Sequence, residues 1–158
     1  MPRKKTEKPR VLFVDDKNDL ASQIAEHFAG KLFGDSYDAY SAGPAKDIVD
    51  CDLIAEMYAM GEDIRRQASK DFRDTDYLPA DARFDYVVYL SAKAFEEWSG
   101  KTPWKGRQIL CDMGSRESFG ATDDLELSQC YAALVARVRS WVEENMRDEE
   151  RLRSLISA

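Results

Sequence analysis

The 158-residue sequence holds one histidine, His27, and three cysteines, Cys51, Cys111 and Cys130. The cysteines are far apart, no two stand in a Cys-x-x-Cys spacing and only one histidine accompanies them, which argues against a zinc site. An odd number of scattered thiols fits a reducing compartment. Each cysteine is expected to pack as a small apolar side chain, none at a strand-to-helix junction where a helix dipole would activate it. Long apolar runs are also missing. No stretch approaches the ~20 residues of a membrane span, and no apolar segment follows the basic start as a secretion signal requires, so a cytoplasmic location is expected. Positive charge is in deficit, 23 Lys and Arg against 30 Asp and Glu, for a net charge of -7. A phosphate backbone would be repelled over most of such a surface, which excludes broad nucleic-acid binding. Arg3, Lys4, Lys5, Lys8 and Arg10 are the exception. Residues 1–10 carry no apolar periodicity and are expected to form a disordered basic arm, the one part suited to nucleic acid or an acidic partner.

What is present describes one domain over residues 11–146, followed by a charged tail or helix end over 147–158. Val11-Leu12-Phe13-Val14 is an apolar run of the kind that forms a strand buried on both faces. Ala25, Phe28, Ala29, Leu32 and Phe33 recur at helical spacing, with Gly34 closing the helix and Ser22 as its cap or first-turn residue. Tyr37 to Ala42 reads as a strand ended by Gly43-Pro44. Leu53, Ile54, Met57, Tyr58 and Met60 follow a helical period that Gly61 stops. Phe84 to Leu90 is a central strand, Ala92 to Trp98 a short helix and Gln108 to Cys111 the last strand. A long amphipathic helix runs from a Thr122-Asp123-Asp124 cap through Leu134, Val138 and Val142. Strand and helix alternate, which predicts an α/β domain: a doubly wound, three-layer, mainly parallel four-stranded sheet.

In such sheets ligands sit where a strand's C-terminal end feeds a helix N-terminus. Here that junction is Asp15-Asp16-Lys17-Asn18-Asp19-Leu20-Ala21-Ser22, with three carboxylates and one lysine. It is poorly composed for an anion.

The order of segments resembles the low-molecular-weight protein tyrosine phosphatases and their relatives, the thioredoxin-coupled arsenate reductases. The resemblance lies in the first strand, in Asn18, Ser22, Gln23, Ala25 and Glu26 of the loop and helix, in Tyr40-Ser41-Ala42-Gly43, in Gly61-Glu62-Asp63-Ile64 through Gln67-Ala68-Ser69-Lys70, and in Phe84 to Val88. It implies a loop of the form Cys-x5-Arg, in which a thiolate attacks, backbone N–H groups cradle the oxyanion and arginine clamps two phosphate oxygens. On this correspondence Asp15 holds the cysteine's place, Ala21 the arginine's, and Lys17 a position where glycine is common. The general acid's place falls to Glu117, without the proline that follows the acid in the family, and Asp112 competes for it. Arsenate reduction loses its residues as well, because the cysteines supply neither the loop thiolate nor a later pair.

Three readings of the acidic loop follow. In the first, the chain is a catalytically degenerate relative, a pseudoenzyme that binds another protein, regulates, and requires no cofactor. In the second, it is a Mg²⁺-dependent phosphohydrolase with Asp15 as nucleophile and Asp15, Asp16 and Asp19 as metal ligands, although aspartyl-phosphate hydrolases use Asp-x-Asp and Lys17 stands at that spacing. In the third, it is a receiver-like signalling domain, for which Asp52 and Glu56 are the acidic candidates and Lys93 the lysine. Among smaller features, His27 is expected to be a partly exposed helix residue within reach of a loop carboxylate. Trp104 is expected either as an exposed partner contact or packed over the sheet edge. Arg65 and Arg66 could replace the lost cation from outside, and Arg147 to Arg153 is expected to be a solvated end.

Overall fold

The computed structural model describes residues 7–81, 83–102 and 104–155. The strands are β1 (Arg10–Val14), β2 (Asp38–Ala42), β3 (Tyr86–Tyr89) and β4 (Arg107–Leu110); the helices are α1 (Ala21–Phe33), α2 (Cys51–Ala59), α3 (Ala92–Trp98), α4 (Asp124–Met146) and α5 (Glu149–Ser154). All pairings are parallel and the sheet order is β2-β1-β3-β4, with Phe13 opposite Ser41 on one side and Val88 on the other. The apolar runs of β1 and β3 take the two central positions because only there are both strand faces covered.

Side chains alternate across the sheet and divide the core in two. Val11, Phe13, Tyr86 and Val88 face α1, α2, α4 and α5, whereas Leu12, Val14, Val87 and Tyr89 face α3 and the loops that carry Phe72, Leu78, Phe84 and Trp104. Helix ends obey local chemistry. Asp50 caps α2, Asp123 caps α4 by accepting from the Glu126 N–H, and Glu126 returns the contact to the Thr122 N–H and hydroxyl. Gly61, at φ 85, makes the left-handed turn after α2. Among the described residues no helix is long and apolar enough to cross a membrane.

Several expectations need correction. Strand β1 begins at Arg10, whose N–H donates to Asp85, so the ordered chain reaches into the basic segment. Residues 1–6 of the arm lie outside the described residues. The end of the chain is more than a solvated tail: Asp148 caps α5, and Leu152 is fully buried against the helical face of the core. Cys51 is exposed rather than packed, and it is the first residue of α2. Cys111 behaves as expected of a half-buried thiol, with burial pushing its pKa up to about 12. Trp104 is buried rather than exposed, and its ring packs in T-shaped contact with Phe72 at 4.7 Å and Phe84 at 5.5 Å between ring centres.

Candidate functional site

The loop between β1 and α1 is held from three sides. Asn18 sits at φ 50, a left-handed conformation that asparagine tolerates. Its Nδ2 donates to Ser22 Oγ at 2.8 Å, its Oδ1 accepts the Lys70 N–H at 2.8 Å, and its carbonyl accepts Gln23 Nε2 at 2.7 Å. Ser69 Oγ donates to the Lys17 carbonyl, and the Gln67 amide donates to Gln23. The 64–70 segment is thereby stitched to the loop. Gly43 closes the third side; a Cβ there would lie 2.5 Å from the Asp15 carbonyl oxygen and 2.9 Å from the Asn18 nitrogen. Only glycine lets the end of β2 approach this closely.

Within the loop, Asp15 turns its carboxylate back onto the start of α1. Oδ2 accepts the N–H of Ser22 at 2.8 Å and of Leu20 at 3.3 Å, while Oδ1 is buried without a hydrogen-bond partner. Helix α1 has no side-chain cap of its own, because Leu20 occupies that position; Asp15 supplies the acceptor instead. The residue is 6% exposed. Burial raises its pKa above the ordinary carboxylate value, against the opposing pull of the Ser22, Leu20 and Asn18 N–H groups. Asp16 diverges and accepts from the Ser91 hydroxyl at the end of β3. Lys17 points outward to Asp47 at 3.8 Å.

Above this loop lies a cavity of about 410 Å³, lined by Asp15, Asp16, Lys17, Asp19 and Ala21 together with Asp47, Asp50, Asp52 and Glu117 from other elements. Asp50 is already engaged by the Tyr131 hydroxyl at 2.7 Å, and Arg116 pairs with Asp52 at 3.1 Å. Asp19 has no such partner. Burial, followed by the nearby charges of Asp15 and Asp50, raises its pKa to about 6. A folded-state value above the unfolded one favours the protonated form, so the stability Asp19 contributes is complete below pH ~4 and is lost as pH rises through about 6. Asp19→Asn is therefore expected to flatten the stability profile between these limits and to stabilise the protein at pH 7 by about 1 kcal/mol, after discounting for solvent screening. Urea unfolding at pH 4, 6 and 8 measures it; equal slopes in variant and parent would remove Asp19 from the account.

The sequence-predicted residues divide accordingly. Asp15, Asp16, Asp19, Ala21 and Glu117 meet at the cavity; Asn18 and Ser22 stand behind it as the loop's internal frame. Asp112 is not among the lining residues. Glu117 lies on a short 3-10 turn, exposed, and hydrogen bonds from its own N–H and from Ser115 hold its carboxyl below the usual range, the wrong direction for a proton donor. His27 reaches Glu62 at 2.8 Å rather than any loop carboxylate, and Lys31 joins it there. Arg65 is bound to Asp63 and stacks over Tyr58, away from the cavity. Asp52 and Glu56 lie on α2 and Lys93 on α3, not at strand ends as a receiver requires. Asp47, Asp50, Cys51 and Ser91 were missed as lining residues, although the rule that strand C-terminal ends converge would have pointed to the segments after Gly43 and Leu90. Among the described residues, no group of three or more His, Cys, Asp or Glu is arranged to hold a metal ion.

No protein-family model matches the chain, and no curated protein does. Solved structures match in fold. The tyrosine phosphatase Wzb from Escherichia coli K30, in complex with sulphate, aligns with a TM-score of 0.65 at 18% identity, covering 87% of this chain and 99% of that one. Wzb from Vibrio vulnificus, in complex with benzylphosphonate, gives 0.63 at 15% identity over 87% and 99%. The thioredoxin-dependent arsenate reductase of Corynebacterium glutamicum gives 0.60 at 19% identity over 89% of this chain and 63% of that one, so this chain spans less than two thirds of that reductase. The fold is therefore that of the low-molecular-weight tyrosine phosphatases and thioredoxin-dependent arsenate reductases.

Proposed function

We propose that this protein is a catalytically degenerate, phosphatase-fold module that binds another protein and hydrolyses no phosphoester. One observation carries the reading: the Asp15 carboxylate accepts the Leu20 and Ser22 N–H groups at the start of α1, the groups a phosphate loop offers to its anionic substrate. An anion entering the loop has to displace a covalently tethered competitor. It then meets Asp16, Asp19 and Asp47, at a cost on the order of 1 kcal/mol per like-charge pair even at the dielectric of water. Ala21, in the place the resemblance gives to the clamping arginine, offers no compensation. The internal frame of Asn18, Ser22, Gln23 and Gly43 keeps the loop shaped without any substrate. A Mg²⁺-dependent phosphohydrolase would need Asp15 free to attack and carboxylates converging on one ion, whereas Asp15 faces the α1 backbone and Asp16 faces Ser91.

The test is hydrolysis of para-nitrophenyl phosphate across pH 5 to 8, with and without Mg²⁺, beside an Asp15→Ala control. Parent and control are expected to match the buffer blank. Turnover that requires Mg²⁺ and disappears in the control would make Asp15 a nucleophile or metal ligand and overturn the reading.

A further inference from the structure

Surface helices of a globular domain ordinarily turn charged residues to water. Helix α2 does not. It buries Leu53 and Met57 on one side and exposes Cys51, Ala55, Tyr58 and Ala59 on the other, at positions i, i+4, i+7 and i+8. Asp52 is the one charged residue exposed along its length. Five large apolar side chains are exposed among the described residues, and three of them, Ile48, Tyr58 and Met60, stand on α2 or directly beside it. We propose that a second copy of this chain covers this face, the two α2 helices crossing antiparallel about a two-fold axis at Ala55. The loop between β1 and α1 takes no part in the pairing, which holds whether or not that loop hydrolyses phosphoesters.

Charge selects this occupant. Beside the N-terminal end of α2, the cavity lining holds seven carboxylates against Lys17 and Arg116, which leaves that end negative. Past the C-terminal end, Arg65 and Arg66 are exposed and outnumber Asp63, which Arg65 binds. The Arg65 guanidinium lies 4.5 Å from the centre of the Tyr58 ring, so the positive charge borders the apolar face itself. A face negative at one end and positive at the other repels a parallel copy and matches an antiparallel one, because two-fold symmetry sets each end against its opposite. Ala55, midway along the helix, permits close approach. At the ~8–10 Å separation of packed helices, with Cα atoms ~2.3 Å from each axis, the two facing Ala55 Cα atoms come within about 4–6 Å. A helix of nine residues with its flanks makes a small patch, so the pairing belongs with transient interfaces that bury less than ~1,200 Å².

Sedimentation velocity of the reduced full chain, from about 10 to 300 µM, is expected to pass from monomer to dimer. Ala55→Arg sets two guanidinium groups against each other at the axis and should weaken association at least about tenfold. Glu97→Arg, exposed on α3 across the sheet from α2, should leave it unchanged. Thermal unfolding checks that both variants are folded, as expected at exposed positions where arginine is a good helix former. Diamide oxidation reads the geometry. It takes two electrons and two protons from a pair of thiols and leaves a disulfide, which needs Cα atoms ~4.4–6.8 Å apart. In a Cys51→Ser background, Ala55→Cys is expected to give a covalent dimer on a non-reducing gel and Glu97→Cys none. Equal weakening by the two arginine variants, or no cross-link at position 55 beyond that of the Glu97→Cys control, overturns the proposal. A parent that stays monomeric across the whole range also overturns it and leaves the face to a different protein.

Discussion

Asp15→Ala is expected to lower the unfolding free energy by about 2–4 kcal/mol at pH 5, because the buried Leu20 and Ser22 N–H groups lose their acceptor and each unsatisfied donor costs about 1–3 kcal/mol. For a domain of this size the midpoint of thermal unfolding falls by roughly 2–4 °C per kcal/mol. Asp15→Asn should behave oppositely. Its amide oxygen keeps an acceptor before the two N–H groups, and the charge that burial disfavours is gone. Burial raises the Asp15 pKa, so the wild-type carboxyl contributes most below the unfolded value of 3.8 and loses that contribution as pH rises through the folded value. The asparagine variant is therefore expected to equal or exceed the parent at pH 8 while alanine falls below it. Urea unfolding of the three proteins at pH 5 and pH 8 decides the matter. If asparagine proves as damaging as alanine, the charge itself is required and Asp15 is more than an internal cap. The comparison also bears on function, since a group that holds the loop together is unavailable as a nucleophile.

Trp104→Ala is expected to cost about 3–5 kcal/mol, the range for removing a large buried aromatic. The indole sits between Phe72 and Phe84, each edge-on to it, and Phe72 in turn meets Trp98 at 5.4 Å between ring centres. Deleting it unsupports the face of the sheet that α3 covers only in part, where Leu12, Val14 and Val87 rely on these loops. Trp104→Phe should recover roughly half of the loss because it refills part of the cavity and keeps an edge-on ring. Denaturant unfolding measures both. A loss under about 1 kcal/mol for alanine would mean that the aromatic cluster is not the support described, and would return Trp104 to candidacy as a binding residue.

Local patterns carried much of the fold. The apolar runs at Val11 to Val14 and Phe84 to Leu90 specified strands buried on both faces, and helical spacing specified α2 and, with its cap at Asp123, α4. The junction after Val14 also marked the site, because a strand ending in polar residues before a helix is legible within a dozen positions. What each side chain does there was decided by tertiary structure. Asp15 is adjacent to Asp16 in sequence, yet one turns to the N–H groups five and seven residues ahead while the other crosses to Ser91 at the end of β3. The acidic cavity draws Asp47 and Asp52 from around the start of α2 and Glu117 from a turn after β4, segments that only a parallel sheet brings to one edge. The same holds for the exposure of Cys51 and the burial of Trp104 and Leu152. Strand and helix preferences arise from neighbours within a few positions and can be read along the chain, whereas burial, charge convergence and the choice of hydrogen-bond partner depend on residues distant in sequence that meet only when the chain folds.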